Sequence, residues 1–526
     1  MKKYISRIII TLIVAFLLFY VTLPAINIHS PGFWIYLLFI FNVYLVTGLI
    51  NFSTKVVNKI INNKPYYFFT IPALIIGLII IINIINAPIF NSKKYYNRIS
   101  IEENTNFLED IKQVDFESLP LLDKDSSEKL GDRVMGSMKD LVSQFEVSNL
   151  YTQINYNNKI IRTTPLEYAS ILKWFNNHKE GIKGYISVNS VNGEARLTKL
   201  DKGMKYMQSA LFNENLTRYL RFKYPTEIFD SENFEIDNEG NPYWVVPTIK
   251  YTGVGLKREI SGVITLNPIT GESNKYSTKN IPSWIDHVYN ADLIIEQVND
   301  WGKYKNGFLN SILGQKGVVA TTDGYNYLLM DDDVYLYTGI TSVNSDESNL
   351  GFILTNLRTK ETKFYSAPGA EEYSAMDSAE GAVQQMKYKS TFPLLINLNN
   401  RPTYLLSLKD AAGLVKMYAF VDVADYQKVV VTDASKGIEK ASENYLNDTN
   451  FNTNSSNTKE KDITIKSITS HVIDGITYFY IIDTNNQKYK VSIKSSDNLP
   501  FVKIGDTIKI TYFVEKDIID ISKIID

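Results

Sequence analysis

Residues 262–276 read GVITLNPITGESNKY, and residues 351–365 read GFILTNLRTKETKFY. Aligned without gaps, the two stretches match at Gly262/Gly351, Ile264/Ile353, Asn267/Asn356, Thr270/Thr359, Glu272/Glu361 and Tyr276/Tyr365. The alternating apolar residues predict strands, and the Asn-to-Glu centre predicts a polar turn between them. Upstream, each copy also carries a Tyr-Thr-Gly, at 251–253 and 337–339. Six matches and a shared tripeptide read as an internal duplication.

Lys202 to Phe222 has helical spacing ahead of the first copy, and Ala370 to Tyr388 has it after the second. Strand-like runs follow at Thr391 to Leu398, Thr403 to Leu408 and Leu414 to Val423, which makes a third unit. Each unit reads as a helix laid on a small antiparallel sheet, an α+β arrangement in which both bury one apolar face. Unit 1 is expected over residues 201–300, and units 2 and 3 over 301–435.

Residues 91–200 read as a juxtamembrane α/β segment. Asp123 to Ser127 is a helix-start cluster, and a second helix is expected from Pro165 to His178, with Pro165 in its first turn. Tyr185 to Leu200 alternates like a strand pair around an Asn192-Gly193 turn. Toward the other end, residues 436–462 hold a short helix and then the polar tract NDTNFNTNSSNTKEKD, a linker with nothing to bury. Five short β-runs in residues 463–526 suit a small closed barrel.

The N-terminal 90 residues are of another kind. No Asp or Glu precedes Glu102, and three apolar runs occur there: Ile8 to Ile26, Phe33 to Phe52 and Tyr66 to Asn86. Each is about 20 residues, the length of a membrane-spanning helix, so residues 1–90 read as a three-helix transmembrane anchor. Lys2, Lys3 and Arg7 precede the first run, and Lys55, Lys59 and Lys64 follow the second. The positive-inside rule then puts the N-terminus in the cytoplasm and residues 87–526 on the extracytoplasmic side of the cell membrane. Lys93, Lys94 and Arg98 run against that pattern. The helices carry no charge within their apolar runs, so anchoring is the expected role, with homo-oligomer contacts an open alternative.

The chemistry-bearing residues are sparse. With no cysteine there is no disulfide, thiolate metal site or thiol nucleophile, and no cofactor is expected. The four histidines, His29, His178, His287 and His471, stand singly. Asp331, Asp332 and Asp333 form the densest acidic run and are the candidates for a cation. Consecutive Asp residues do not alternate as a calcium loop requires, however, and a turn accounts for them. In the barrel, Tyr478, Tyr480, Tyr489 and Phe501 could stack on bases. Yet residues 459–526 carry ten Lys against ten Asp or Glu, so no basic groove draws in nucleic acid.

The stretch PYWVVPTIKY at 242–251, followed by GVITLNPITGE, resembles PepSY-type domains, and looser likenesses occur at 335–365 and 403–423. That resemblance covers roughly residues 200–435. It implies α+β modules of the bacterial envelope that restrain peptidases or bind partners, and it supplies no catalytic residues. VKIGDTIKITYFVEKDIIDISKI, at 502–524, resembles the late strands of OB-fold modules. The whole layout resembles multi-pass membrane proteins of Gram-positive bacteria. The expectation is a non-enzymatic extracytoplasmic binding or regulatory scaffold whose partners are the bilayer and an envelope protein or cell-wall material. The alternative is an envelope hydrolase with a paired-carboxylate cleft.

Overall fold

The computed structural model describes residues 2–50, 67–103, 105–116, 119–330, 332–343, 348–449, 451, 459–473, 476–496, 498–512 and 518–525. The chain divides into two compact units, one of residues 1–105 with 117–366 and the other of 106–116 with 367–526.

The first unit begins with helices α1 (Lys2–Thr22), α2 (Pro31–Ile50), α3 (Tyr67–Ile85) and α4 (Pro88–Tyr96). Three full spans were expected. Among the described residues one helix is long and apolar enough to cross a membrane, over Ile5–Thr22. Helices α3 and α4 pass the same test only as a pair bent by 54°, and α2 supplies a shorter apolar stretch, Pro31–Thr47. The basic loop that bears Lys55, Lys59 and Lys64 lies outside the described residues, as do the adjoining ends of the second and third apolar runs.

One topology then occurs four times. In the first copy, helix α5 (Lys124–Gly136) precedes β1 (Phe145–Val147), β2 (Thr152–Tyr156), β3 (Lys159–Tyr168), β4 (Ile182–Asn189) and β5 (Ala195–Met204). Both short strands pair with β3, and β3, β4 and β5 form an antiparallel meander. The second copy is α6 (Leu216–Lys223), β6 (Ile228–Phe229), β7 (Asn233–Ile236), β8 (Pro242–Thr252), β9 (Lys257–Leu266) and β10 (Ser273–Ser277), with β6 and β7 both on β8. The third is α7 (Ala291–Tyr304), β11 (Val319–Thr321), β12 (Asn326–Met330), β13 (Asp333–Ser342), β14 (Ser348–Asn356) and β15 (Thr362–Ala370). Here β11 and β12 share β13, and Ile101–Glu102 adds a parallel strand at the β15 edge.

The second unit holds the fourth copy: α8 (Glu372–Ala382), β16 (Lys389–Ser390), β17 (Leu394–Leu398), β18 (Arg401–Lys409), β19 (Val415–Asp422) and β20 (Val429–Asp433). Helix α9 (Ile438–Asp448) follows, and the remainder of the polar tract up to residue 458, apart from residues 449 and 451, lies outside the described residues. A closed barrel ends the chain, made of β21 (Lys459–Ile473), β22 (Ile476–Asp483), β23 (Lys488–Ser492), β24 (Thr507–Tyr512) and β25 (Ile518–Ile525). Its strand order is β21-β22-β23-β25-β24, closing back on β21, and β23 runs parallel to β25.

The repeated residues have repeated jobs. Asn267 Oδ1 accepts from the backbone N–H groups of Ile269 and Thr270, and Asn356 Oδ1 accepts from those of Arg358 and Thr359. Asn189 does the same with Val191 and Asn192, in the first copy. The backbone N–H at each Asn bonds to the carbonyl of Glu194, Glu272 or Glu361, which closes the turn. Gly184, Gly262 and Gly351 share a second role. A Cβ there would lie 2.9, 2.4 and 2.1 Å from the carbonyl oxygens of Thr198, Tyr276 and Tyr365, each 14 residues on. The Tyr-Thr-Gly tripeptides, by contrast, are not equivalent: Tyr251 pairs with Arg258 at the hairpin end, whereas Tyr337 pairs with Leu354 in mid-sheet.

Three local expectations change. Pro165 lies in β3 opposite Tyr185, and the helix after it is only Ile171–Asn177, capped by Ser170. Trp174 is its buried residue, at 4% exposure, while Leu172 is 72% exposed. Lys202 to Phe222 is not one helix: Met204 ends β5, and Asn215 caps α6 by accepting from the Arg218 N–H. The turn after β4 spans Asn189 to Glu194 instead of two residues.

Candidate functional site: a buried carboxylate pair behind a polar pocket

Strand β7 carries Glu235 inward, and the segment after β10 brings Asp286 and His287 onto it. All three are buried. Glu235 Oε2 accepts from the Asp286 N–H at 2.8 Å, and Oε1 accepts from the His287 N–H at 3.1 Å. Asp286 Oδ2 accepts from the Asn155 N–H at 2.7 Å, and His287 Nε2 donates to the Gln153 carbonyl. The acids therefore clamp the 283–290 segment to strands β2 and β7.

Burial pushes the Glu235 carboxyl up to about 7, against the pull of its two backbone N–H donors. Asp286 is raised well above the usual carboxylate range by burial and then by the neighbouring Glu235 charge. Burial thus favours the protonated form of both carboxyls. Both oxygens of Glu235 accept backbone N–H groups, whereas Asp286 accepts one, on Oδ2. Burial lowers His287 to about 4, aided by the nearby Arg162 charge, so its imidazole is neutral.

Asp286 lines a pocket of about 330 Å³ with Asn155, Asn238, Trp284 and Asp332. A protonated acid at its wall can donate a hydrogen bond or a proton, which is the property the hydrolase alternative needs. Glu235 does not line that pocket.

Of the sequence candidates, Asp331 lies outside the described residues. Asp332 sits in the turn between β12 and β13 at φ 72°, and its carboxylate accepts from Asn155 Nδ2. Asp333 is committed to a bidentate pair with Arg358, at 2.7 and 2.6 Å, and accepts from Asn356 Nδ2. Among the described residues, no group of three or more His, Asp or Glu could hold a metal ion.

The histidines stay apart: His29 Nδ1 donates to the Gly253 carbonyl, His178 stacks on Trp174, and His471 meets Tyr480 edge-on. In the barrel, Tyr489 is core and Phe501 is 76% exposed, so the four aromatics form no common platform. Sequence reasoning missed Glu235 and Asp286 because 51 residues separate them and neither sits in a motif.

No family model matches the chain, and no curated protein matches it. Among solved structures, the N-terminal domain of Nup159 is similar at 9% identity over 74% of this chain and 97% of that one. The TM-score of that likeness is 0.12, and it bears on neither fold nor function.

Proposed function

We propose that the protein is a three-pass membrane protein, with its N-terminus in the cytoplasm, that holds residues 87–526 outside as a non-enzymatic binding or regulatory scaffold. Convergence of helix ends carries this reading. The Ile26 N–H donates to the Pro225 carbonyl, Asn27 Nδ2 to Thr226, and His29 to Gly253. Asn83 of α3 exchanges two hydrogen bonds with the Val254 backbone. The end of α1, the start of α2 and the end of α3 thus all meet the same side of the second copy. At the far end, the Arg7 guanidinium lies over the Tyr44 ring, so α1 and α2 run antiparallel. Large apolar side chains such as Leu12, Phe16, Ile35, Leu74 and Ile81 point outward, as lipid contact requires.

The four helix-and-sheet copies are PepSY-like modules in this reading, and the barrel's strand order fits an OB-like domain. Cross-linking in living cells through a photoreactive residue at Lys440, which is exposed, tests the scaffold role. Repeated recovery of one envelope species supports it, and recovery of none under several conditions rejects it.

A second reading, an envelope hydrolase, is favoured by one observation: Asp286, a carboxyl of raised pKa, shares its pocket with Asp332. Its test is hydrolysis of cell-wall material by the purified chain, abolished in Asp286→Asn.

A further inference from the structure

The cations after α3 run against the positive-inside pattern, and the structure separates them into two kinds. Arg98, only 6% exposed at its side chain, pairs with Glu259 and Glu296 at 3.0 Å and with Asp300. Lys257 adds contacts to Glu296 and Asp300, Arg258 to Asp230 and Glu296, and Lys360 to Glu259. Within that network four cations face four acids, so it is formally neutral. Lys94 and Lys250 are exposed and make no ion pair among the described residues, and Glu259, opposite Lys250 in the β8–β9 register, is already paired with Arg98 and Lys360.

Those two lysines line one cavity of about 490 Å³. Its walls come from the last turns of α3 (Ile82, Asn86), from α4 and Arg98, and from the β8–β9 hairpin, including the paired Lys257 and Glu259. Its polarity is graded along the chain: Ile82 belongs to the apolar helix, whereas Lys94 and Lys250 belong to the soluble side. In the three-pass reading, on which this inference rests, that places the cavity at the level of lipid headgroups.

We infer that this cavity binds the phosphodiester of an anionic lipid headgroup, with Lys94 and Lys250 holding the phosphate and the Ile82 wall meeting the start of an acyl chain. The chemistry fits. A headgroup offers one negative charge with several acceptor oxygens, and two ammonium groups outside the neutral ion-pair network supply donors at the boundary between apolar and wet surroundings. The size also fits, since small-ligand pockets run to a few hundred cubic ångströms.

The test uses the full chain in nanodiscs of phosphatidylcholine, titrated with fluorescent phosphatidylglycerol. Wild type is expected to retain the anionic lipid selectively. K94Q/K250Q should lose about 25-fold in affinity, from about five-fold per lysine at a membrane surface. K94R/K250R should bind as wild type does. Thermal melts of both variants check that folding is unchanged. Equal binding by K94Q/K250Q, or equal retention of labelled phosphatidylcholine, overturns the site. Glycerol phosphate that binds in detergent as tightly as the lipid overturns the lipid source and assigns the lysines to a free phosphate ester. Release of wild-type chain from native membranes by an alkaline wash rejects the three-pass reading itself, and so is distinct from failure of the site.

Discussion

Lys360 occupies, at φ 69°, the same left-handed position in its turn that Gly271 occupies at φ 77° in the preceding copy. Gly193 fills it in the first copy, at φ 76°. A side chain there strains the backbone, and Lys360 offsets the strain by donating to the Arg98 carbonyl at 2.6 Å and reaching Glu259 at 3.3 Å. The exception ties the third copy to Arg98, two residues past α4.

This predicts an ordering. Lys360→Ala keeps the left-handed strain and loses both bonds, so it should cost about 1–3 kcal/mol. Lys360→Gly loses the same bonds but relieves the strain of about 1 kcal/mol, and should be the milder change. Chemical denaturation of the two variants checks this, and a milder Ala variant rejects it.

Gly351→Ala should destabilise by about 2–4 kcal/mol, because its Cβ would press on the Tyr365 carbonyl and neither backbone can yield cheaply. Gly381→Ala, in α8 with nothing within 4 Å, should instead stabilise by about 0.5–1 kcal/mol. Melting temperatures moving in opposite directions would bear out this account of the repeated glycine.

Glu235 sits near 7 instead of 4.5, and Asp286 is also raised, so the folded chain keeps protons that the unfolded chain releases. Stability should therefore fall as pH rises from about 4.5 to about 7. His287 opposes this between about 4 and 6.5, because its folded value is lowered and the unfolded chain takes up the proton. Two carboxyls outweigh one imidazole. Asp286→Asn mimics the protonated form and removes one of the two raised carboxyls. The difference in melting temperature between about pH 5 and about pH 7.5 should shrink in that variant, and an unchanged difference contradicts the upward shift of Asp286.

Much of the fold was legible where chemistry recurs in a short window. Asn267 and Asn356 announce their turns because one side chain caps two backbone N–H groups within three residues. The same turn at Asn189 was hidden because Asn192-Gly193 alone reads as a tighter turn. In the fourth copy Asp422 stands in for Asn, and the turn closes later, onto the Lys428 carbonyl. Pro165 misled because a proline that suits a helix start also fits a strand position whose N–H is not needed. The carboxylate pair and the Lys94–Lys250 cavity were not legible, since each joins residues from distant strands or helices whose meeting only the packing decides.

Three crossings are directly measurable, because the chain has no cysteine of its own. Single cysteines at Lys59 and Lys440 are labelled in cells with a membrane-impermeant maleimide, before and after lysis. The three-pass account predicts that Lys440→Cys reacts in intact cells and Lys59→Cys only after lysis. Labelling of Lys59→Cys in intact cells would mean a single crossing by α1 and would contradict it.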